Sequence, residues 1–213
     1  MEHTPTNGRR RFLSGAISAA TALGASMALP HVASARTSQT EPHELDKWID
    51  ELHGEYRIVL DSVSPKGASE IGGYASTYLA VNQGAYRFTP AQSSVIVIVR
   101  NIAAAFGFSD EMWSTYALGE IVSFDDPRTK SRALRNVARN EMAGLHAQGA
   151  VIAVCGMATQ FLTSQISRTR GADPAEVRKA LEANLLPGAR IVPSGITTVD
   201  RCQRARFSYA YVG

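Results

Sequence analysis

The amino-acid sequence predicts an α/β protein, a three-layer α/β/α sandwich built on a mostly parallel sheet of about five strands. Short runs dense in Val and Ile alternate along the chain with longer helical patterns. Strands that alternate with helices are joined by crossover connections, which make neighbouring strands parallel. The run Val95–Val99 is apolar at every position, as is typical of a central strand that is covered on both faces.

The first 35 residues predict an export signal. Three arginines at 9–11 precede Phe-Leu-Ser, a mildly apolar stretch rich in Ala and Gly follows, and residues 33–35 form a small-residue cleavage site. This pattern resembles the twin-arginine type, which carries folded proteins across the bacterial inner membrane. Because glycines and Pro30 break the apolar span, it is too short and too polar to anchor in a bilayer. We expect cleavage after Ala35, a periplasmic protein and no stable membrane insertion.

Removal of the signal changes the charge balance. Residues 1–35 carry about +2 of the chain's net +3, so the mature chain is near +1. No dense Lys/Arg run remains, so we expect no nucleic-acid partner. The mature chain has about 178 residues, the usual size of one domain. We expect a flexible polar leader over 36–44 and a single domain over 45–213.

The first element of that domain is a short helix over 45–52. Leu45, Trp48, Ile49 and Leu52 have the spacing i, i+3, i+4, i+7 and form one apolar face. This face would pack either on its own domain or on a neighbouring subunit.

Strands and helices then alternate. The β-rich runs predict strands within 56–63, 93–101, 150–156, 189–195 and 207–213. Helical patterns occupy 67–86, 129–149, 157–169, 173–186 and 196–206. Asp173 followed by Pro174 predicts an N-cap with proline at the first helical position, and Gly149 and Gly171 stand where helices end.

The segment 101–130 does not fit this alternation. It follows the carboxyl end of a predicted strand, the edge at which open α/β sheets bind ligands, and long loops are usually functional. It carries Phe106, Phe108, Trp113 and Tyr116. These aromatic residues predict either a hydrophobic plug, a subunit interface or a wall of a ligand site.

Cys155 lies where a predicted strand ends and a helix begins. The first N–H groups of a helix have no partner within it, so they and the helix dipole stabilise a thiolate placed there. The alternative is a buried structural cysteine, since free cysteine is among the most buried residue types. The sequence alone leaves both interpretations open.

The second mature cysteine, Cys202, falls on the helix over 196–206. In an oxidising compartment a disulfide or a redox pair with Cys155 is conceivable. However, Cys202 lies more than a helical turn beyond the loop, which places it too far away for a bond to be expected.

Several common chemistries have no signature. The sequence has no GxGxxG after a strand, no GxxxxGK[ST] and no GxSxG, so nucleotide binding and a serine triad are not indicated. The mature histidines lack zinc-ligand spacing. Met112 and Met157 with Cys155 could suit Cu(I), but two methionines are far more often packing residues. We predict no cofactor and no metal.

The stretches "YRIVLDS", "VIVIVRN", "GFSDEMWSTYALGE", "GAVIAVCGMAT", "LLPGARIVPSGI" and "FSYAYVG" together resemble the DsrE/DsrF-like family, in particular its exported members. The resemblance covers most of residues 45–213. It implies a Rossmann-like sandwich that assembles into trimers or hexamers. It also implies a cysteine at the end of a middle strand, which in cytoplasmic relatives accepts sulfane sulfur as a persulfide and passes it on. By its place in the motif, Cys155 matches that cysteine.

The leading hypothesis is therefore a periplasmic homo-oligomer that binds or relays sulfane sulfur on Cys155, a possible sulfurtransferase-like carrier. The alternatives are a non-catalytic module that binds a small ligand or supports assembly, and a thiol redox sensor that uses Cys155 and Cys202. Asp61 and Arg100 end the first two strands and could line the same edge. The residues expected around the bound small sulfur species or ligand are Arg100, Asn101, Trp113, Gly156, Met157 and Ser194.

Overall fold

Within residues 44–213, which the computed structural model describes, five parallel strands form one sheet. Their order across the sheet is β4-β3-β2-β1-β5. The predicted α/β class and parallel sheet are confirmed, and each strand lies within the run that predicts it. The predicted signal peptide over 1–35 and all of the predicted leader over 36–44 except Glu44 lie outside the described residues. The strands are β1 (Tyr56–Ser62), β2 (Ser93–Val99), β3 (Val151–Cys155), β4 (Ala189–Val192) and β5 (Ser208–Tyr211).

Strand β2 lies at the centre because both of its faces are apolar. All five residues of Val95–Val99 are buried. Val95, Val97 and Val99 belong to the hydrophobic cluster on one face of the sheet, whereas Ile96 and Ile98 belong to the cluster on the other. A strand without alternation of polar and apolar residues must be covered on both faces, so helices are needed on each side.

Helices cover both faces of the sheet and complete the three layers. No helix among residues 44–213 is both long and apolar enough to cross a membrane. Short 3-10 helices lie at Glu44–Asp46, Pro90–Gln92 and Asn101–Gly107. The α-helices are α1 (Lys47–Asp50), α2 (Pro65–Gly84), α3 (Asp110–Tyr116), α4 (Leu118–Ile121), α5 (Arg139–Ala147), α6 (Gly156–Arg170), α7 (Pro174–Ala183) and α8 (Gly195–Arg204).

The helix ends follow the predicted caps. The Asp173 carboxylate accepts hydrogen bonds from the backbone N–H groups of Ala175 at 2.9 Å and Glu176 at 3.1 Å, as an N-cap does. Gly149, two residues beyond α5, has φ 87°, and Gly171 at the end of α6 has φ 68°. Glycine adopts this left-handed conformation without steric strain, which explains why both helices stop there.

Helices α1 and α8 cover one face of the sheet. Trp48 and Ile49 of α1 are buried in the same cluster as Val199 and Cys202 of α8. Trp48 and Ile49 of the apolar face predicted over 45–52 therefore pack on their own domain, whereas Leu45 is 57% exposed. The α-helix is shorter than predicted and covers only Lys47–Asp50.

The sequence predicts a long loop over 101–130, and the structure corrects this prediction because the segment is folded. It folds into a 3-10 helix, α3 and α4, and Phe106, Phe108 and Trp113 are fully buried on the face opposite α8. Phe106 and Trp113 contact edge to face, with ring centroids 4.9 Å apart. The aromatic residues thus form a hydrophobic plug.

The helix predicted over 129–149 is also corrected, because only Arg139–Ala147 is helical. The residues before it turn around two buried polar side chains. The Asp126 carboxylate accepts from the N–H of Arg128 and from Arg135, and the Asn136 amide donates to the carbonyl oxygens of Phe106 and Phe108, both at 2.8 Å. Within the segment, the backbone N–H groups of Asn136 and Ala138 donate to the side chains of Asp110 and Asn136 instead of to the carbonyl groups of a preceding helical turn.

We predict that Gly107→Ala lowers the free energy of unfolding by about 1–3 kcal/mol, the usual cost of overpacking a tight core. An added Cβ would lie 2.3 Å from a methyl carbon of Val154 in β3, so the plug would have to move away from the sheet. Gly144 in α5 is the matched control, because an added Cβ there meets no atom within 4 Å. Gly144→Ala should raise the free energy of unfolding by up to about 1 kcal/mol. Urea denaturation measures both, and equal values would contradict the prediction.

Candidate functional site

The carboxyl ends of β3 and β4 mark a switch in the topology of the sheet. The chain leaves β3 into α6, whose apolar residues join the cluster on one face. It leaves β4 into α8, whose apolar residues join the cluster on the other face. Where neighbouring connections leave to opposite faces, a crevice opens beyond the strand ends, and open α/β sheets bind ligands there.

Cys155 lies at this crevice as the last residue of β3 and the N-cap of α6. Its Sγ accepts a hydrogen bond from the backbone N–H of Ala158, with a distance of 3.4 Å. The residue is 6% exposed, so the thiol is sheltered from bulk water and still borders the crevice. The N–H groups at the start of α6 can therefore stabilise negative charge on sulfur.

Arg100 stands next to Cys155 because of the strand register. Val99 of β2 pairs with Val154 of β3, so the residues that follow each of them are neighbours at the sheet edge. Gly195, the first residue of α8, allows this approach: an added Cβ there would lie 2.8 Å from the Cβ of Arg100 and 3.2 Å from the Cβ of Cys155. Any larger residue at 195 would push the arginine and the cysteine aside.

A buried carboxylate holds the Arg100 side chain in place. Nε and Nη2 of Arg100 each donate to the Asp61 carboxylate at 2.9 Å, and the Tyr209 hydroxyl donates to the same carboxylate at 3.0 Å. The hydrogen bond to Asp61 raises the pKa of Arg100. Burial, followed by the hydrogen bond to Asp61, raises the pKa of Tyr209. At neutral pH Arg100 is thus charged, and Tyr209 keeps the proton that it donates.

Cys155 and Arg100 border an open pocket of about 300 Å³. Its rim is apolar, since Met157 is 61% exposed, Phe161 47% and Ile196 59%. Cys155 and Arg100 both line it, and the first turns of α6 and α8 form two of its sides. The lining residues are Arg100, Asn101, Cys155, Met157, Ala158, Phe161, Ser194 and Ile196.

The structure brings together most of the expected site residues. Arg100, Asn101, Met157 and Ser194 all line the pocket with Cys155. Asn101 has φ 52°, a left-handed conformation that asparagine tolerates better than most residues, and this conformation turns the chain directly after Arg100.

Two of the expected residues are corrected. Trp113 does not line the pocket: it is fully buried, and its indole N–H donates to the carbonyl oxygen of Ala105 at 2.9 Å. Gly156 does not line the pocket either, and it matters because a larger residue would not fit at this position. An added Cβ at Gly156 would lie 2.8 Å from the carbonyl oxygen of Val192, so glycine lets α6 start against β4.

Sequence reasoning missed Phe161, Ile196 and Tyr209. Phe161 lies four residues after Met157 and so falls on the same face of α6, a signal that could have found it. Ile196 follows the predicted edge residue Ser194 by two positions. Tyr209 gave no comparable signal, because its link to Asp61 spans 148 residues of sequence.

Cys202 does not share the site. It is fully buried in the hydrophobic cluster between α8 and the sheet, whereas Cys155 belongs to the cluster on the opposite face. Both cysteines are free thiols. Burial raises the pKa of the Cys202 thiol to about 12, so it is protonated at neutral pH. This arrangement does not support a redox pair between the two.

Over residues 44–213, no group of three or more His, Cys, Asp and Glu side chains is placed to hold a metal ion. The donors that the pocket offers are backbone N–H groups, the guanidinium and the Asn101 amide. These groups can hold a small anion or stabilise a thiolate beside it.

Comparison with known proteins adds no information about the function of this pocket. No protein-family profile and no curated protein matches the chain. Among solved structures, the chain is similar to a protein of unknown function, MTH1491, from Methanobacterium thermoautotrophicum. The two are 17% identical, the TM-score is 0.41, and the match covers 73% of this chain and 98% of that chain. The resemblance to the DsrE/DsrF-like family stays a prediction from the sequence.

We predict that iodoacetamide alkylates Cys155 and leaves Cys202 unmodified in the native protein. Cys155 borders the open pocket, whereas Cys202 is enclosed and protonated, and the thiolate is the reacting form. Peptide mass spectrometry after a brief native reaction locates the adduct, and the same reaction in urea should label both cysteines. A native adduct on Cys202, or none on Cys155, would contradict the assignment of the two thiols.

Proposed function

We propose that this protein carries sulfane sulfur as a persulfide on Cys155. The observation that carries the proposal is the pocket that Cys155 and Arg100 line together, walled by the first turns of α6 and α8, with the Ala158 N–H donating to Sγ of Cys155. Donors of this kind stabilise both a thiolate and the terminal sulfur of a persulfide, which is also anionic at neutral pH. The resemblance to the DsrE/DsrF-like family points to the same cysteine.

The transfer balances without an added oxidant or reductant when the donor is itself a persulfide. The Cys155 thiolate attacks the terminal sulfur of a donor R–S–SH, the S–S bond of the donor breaks, and R–S⁻ leaves. The new bond joins Sγ of Cys155 to the transferred sulfur, which keeps its proton until it ionises. The Ala158 N–H, at 3.4 Å from Sγ, is positioned to favour the attacking thiolate.

The shelter of the site supports a carrier. Because Cys155 is 6% exposed, a bound persulfide would lie below the apolar rim, where larger oxidants and thiols reach it less easily. A carrier needs this protection in the periplasm, which is oxidising. The homo-oligomer, a trimer or hexamer, stays a prediction of the family resemblance.

We predict that the mature protein gains one sulfur atom per chain after brief exposure to a small alkyl persulfide, and that a reductant removes it. Intact-protein mass spectrometry measures the gain. The Cys155→Ser variant should show none, because it lacks the sulfur nucleophile.

Cys202→Ser is the matched control, since it also removes one thiol but lies in the core away from the pocket. It should gain sulfur as the wild type does. Sulfur uptake by Cys155→Ser at the wild-type level would refute the carrier proposal. Absence of uptake in the wild type would leave a small-ligand-binding module as the better account.

We also propose that residues 1–35 direct export by the twin-arginine route to the periplasm. Replacement of the three arginines at 9–11 by lysines keeps the charge and removes the feature that the pathway recognises. The variant should accumulate in the cytoplasm as an uncleaved precursor, whereas an Arg36→Lys control should be exported and cleaved. Cell fractionation with N-terminal sequencing measures both, and unchanged export of the triple variant would argue against this route.

A further inference from the structure

The pocket around Cys155 is lined by an arginine whose positive charge is balanced by an ion pair. Among the residues that line it, Arg100 alone is charged. The guanidinium is paired through two nitrogens with the Asp61 carboxylate, which is fully buried behind it. A bidentate pair of opposite charges cancels at a distance larger than its own size, so the pocket does not act as a general trap for anions.

The groups that neutralise the Arg100 charge come from neighbouring strands of the sheet. Asp61 is supplied by β1, Arg100 follows β2, and Tyr209 on β5 donates a third hydrogen bond to the carboxylate. The Asp61 side chain is 0% exposed, whereas the Arg100 side chain is 25% exposed. The negative charge is thus buried, whereas the positive charge that it neutralises is partly exposed.

We propose that Asp61 is a specificity-determining residue: by neutralising Arg100, it adapts the Cys155 pocket to sulfur donors with an apolar arm and at most one negative charge. Organic persulfides have this chemistry, whereas small dianions such as thiosulfate do not. The inference rests on the proposed sulfur-carrier function and names its substrate class.

The rim supplies the other half of this specificity. Met157, Phe161 and Ile196 surround the opening with exposed apolar side chains. A donor R–S–SH whose sulfur reaches Cys155 must place its R group against them. Contact between apolar groups removes both surfaces from water, so an alkyl or aryl arm is favoured over a compact polar ion.

Charge selection can be measured on Cys155 with paired thiol reagents, independently of sulfur transfer. Methyl methanethiosulfonate is neutral, and 2-sulfonatoethyl methanethiosulfonate carries one negative charge. In both, the Cys155 thiolate attacks the sulfenyl sulfur, and methanesulfinate leaves as the mixed disulfide forms. The readout is the anionic-to-neutral rate ratio at Cys155, divided by the ratio for a short unstructured cysteine peptide.

For the wild type we expect a normalised ratio within about threefold of one. Asp61→Asn keeps the shape and leaves the arginine charge uncompensated, so the ratio should rise about tenfold, as expected for one added charge in a partly screened site. The double variant Asp61→Asn with Arg100→Gln has no charged group at either position and should return to the wild-type ratio. A purely structural role of Asp61 would not produce this reversal.

The wild-type measurement keeps the test valid if Asp61→Asn does not fold. A wild-type ratio of ten or more would mean that Arg100 is not neutralised and would overturn the inference. An unchanged ratio in a folded Asp61→Asn variant would overturn it as well.

The apolar arm is tested with hexyl and methyl methanethiosulfonates. The hexyl reagent should react faster relative to the methyl reagent at Cys155 than at the peptide, and Phe161→Ser should reduce that preference. Val81→Ser is the matched control, because Val81 is exposed to a similar degree but does not line the pocket. An equal effect of both variants, or no hexyl preference, would refute this part of the inference.

Failure of the inference and failure of the proposed function give different results. If Cys155 takes up sulfur from an alkyl persulfide but shows no charge or arm selection, the carrier function stands and the substrate class is wrong. If Cys155 reacts with no reagent and takes up no sulfur, the carrier function is wrong, and the inference that rests on it fails too.

Discussion

The burial of β2 on both faces is the constraint on which the rest of the structure depends. Val95–Val99 leaves no polar face for water, so strands must flank β2 and helices must cover it on both sides. Parallel strands need crossover connections, and the carboxyl ends of all the strands therefore lie at the same edge of the sheet. Arg100 follows β2 directly, so the central strand delivers to the middle of that edge the only charged residue among the described residues that line the pocket.

Much of the fold could be predicted because its signals are local. Each strand is a run of β-formers bounded by turn residues, and Asp173, Gly149 and Gly171 act within one helical turn of their own position. Where the structure differs, long-range contacts decide. Residues 129–138 have a helical pattern, but Arg135 donates to the Asp126 carboxylate and Asn136 donates to the carbonyl oxygen of Phe106, and these contacts hold the segment in turns. Sequence periodicity carries no information about such partners.

The residues of the candidate site also divide into those with a local sequence signal and those that depend on long-range contacts. Cys155, Arg100, Asn101, Met157 and Ser194 could be predicted because each lies at the end of a recognisable strand or at the start of the next helix. Trp113 was misplaced because an aromatic residue in a segment after a strand has the same pattern whether it faces a ligand or the core. The sequence shows that Asp61 and Arg100 end adjacent runs, but only the register shows that the carboxylate is buried beneath the guanidinium and bonded to Tyr209.

The ion pair of Asp61 and Arg100 is not explained by stability. Removal of two charges from water offsets much of their attraction, and apolar residues of similar volume are often as stable or more so. The pair also occupies strand ends, where an apolar side chain could have extended the core. What it provides is local: an arginine fixed through two nitrogens in the pocket that Cys155 also lines, without the field of an isolated positive charge. A lone arginine would be mobile and would attract any anion, and an apolar residue would leave the thiol with backbone donors alone. The geometry of the pair is therefore better explained by the requirements of the pocket than by those of the core.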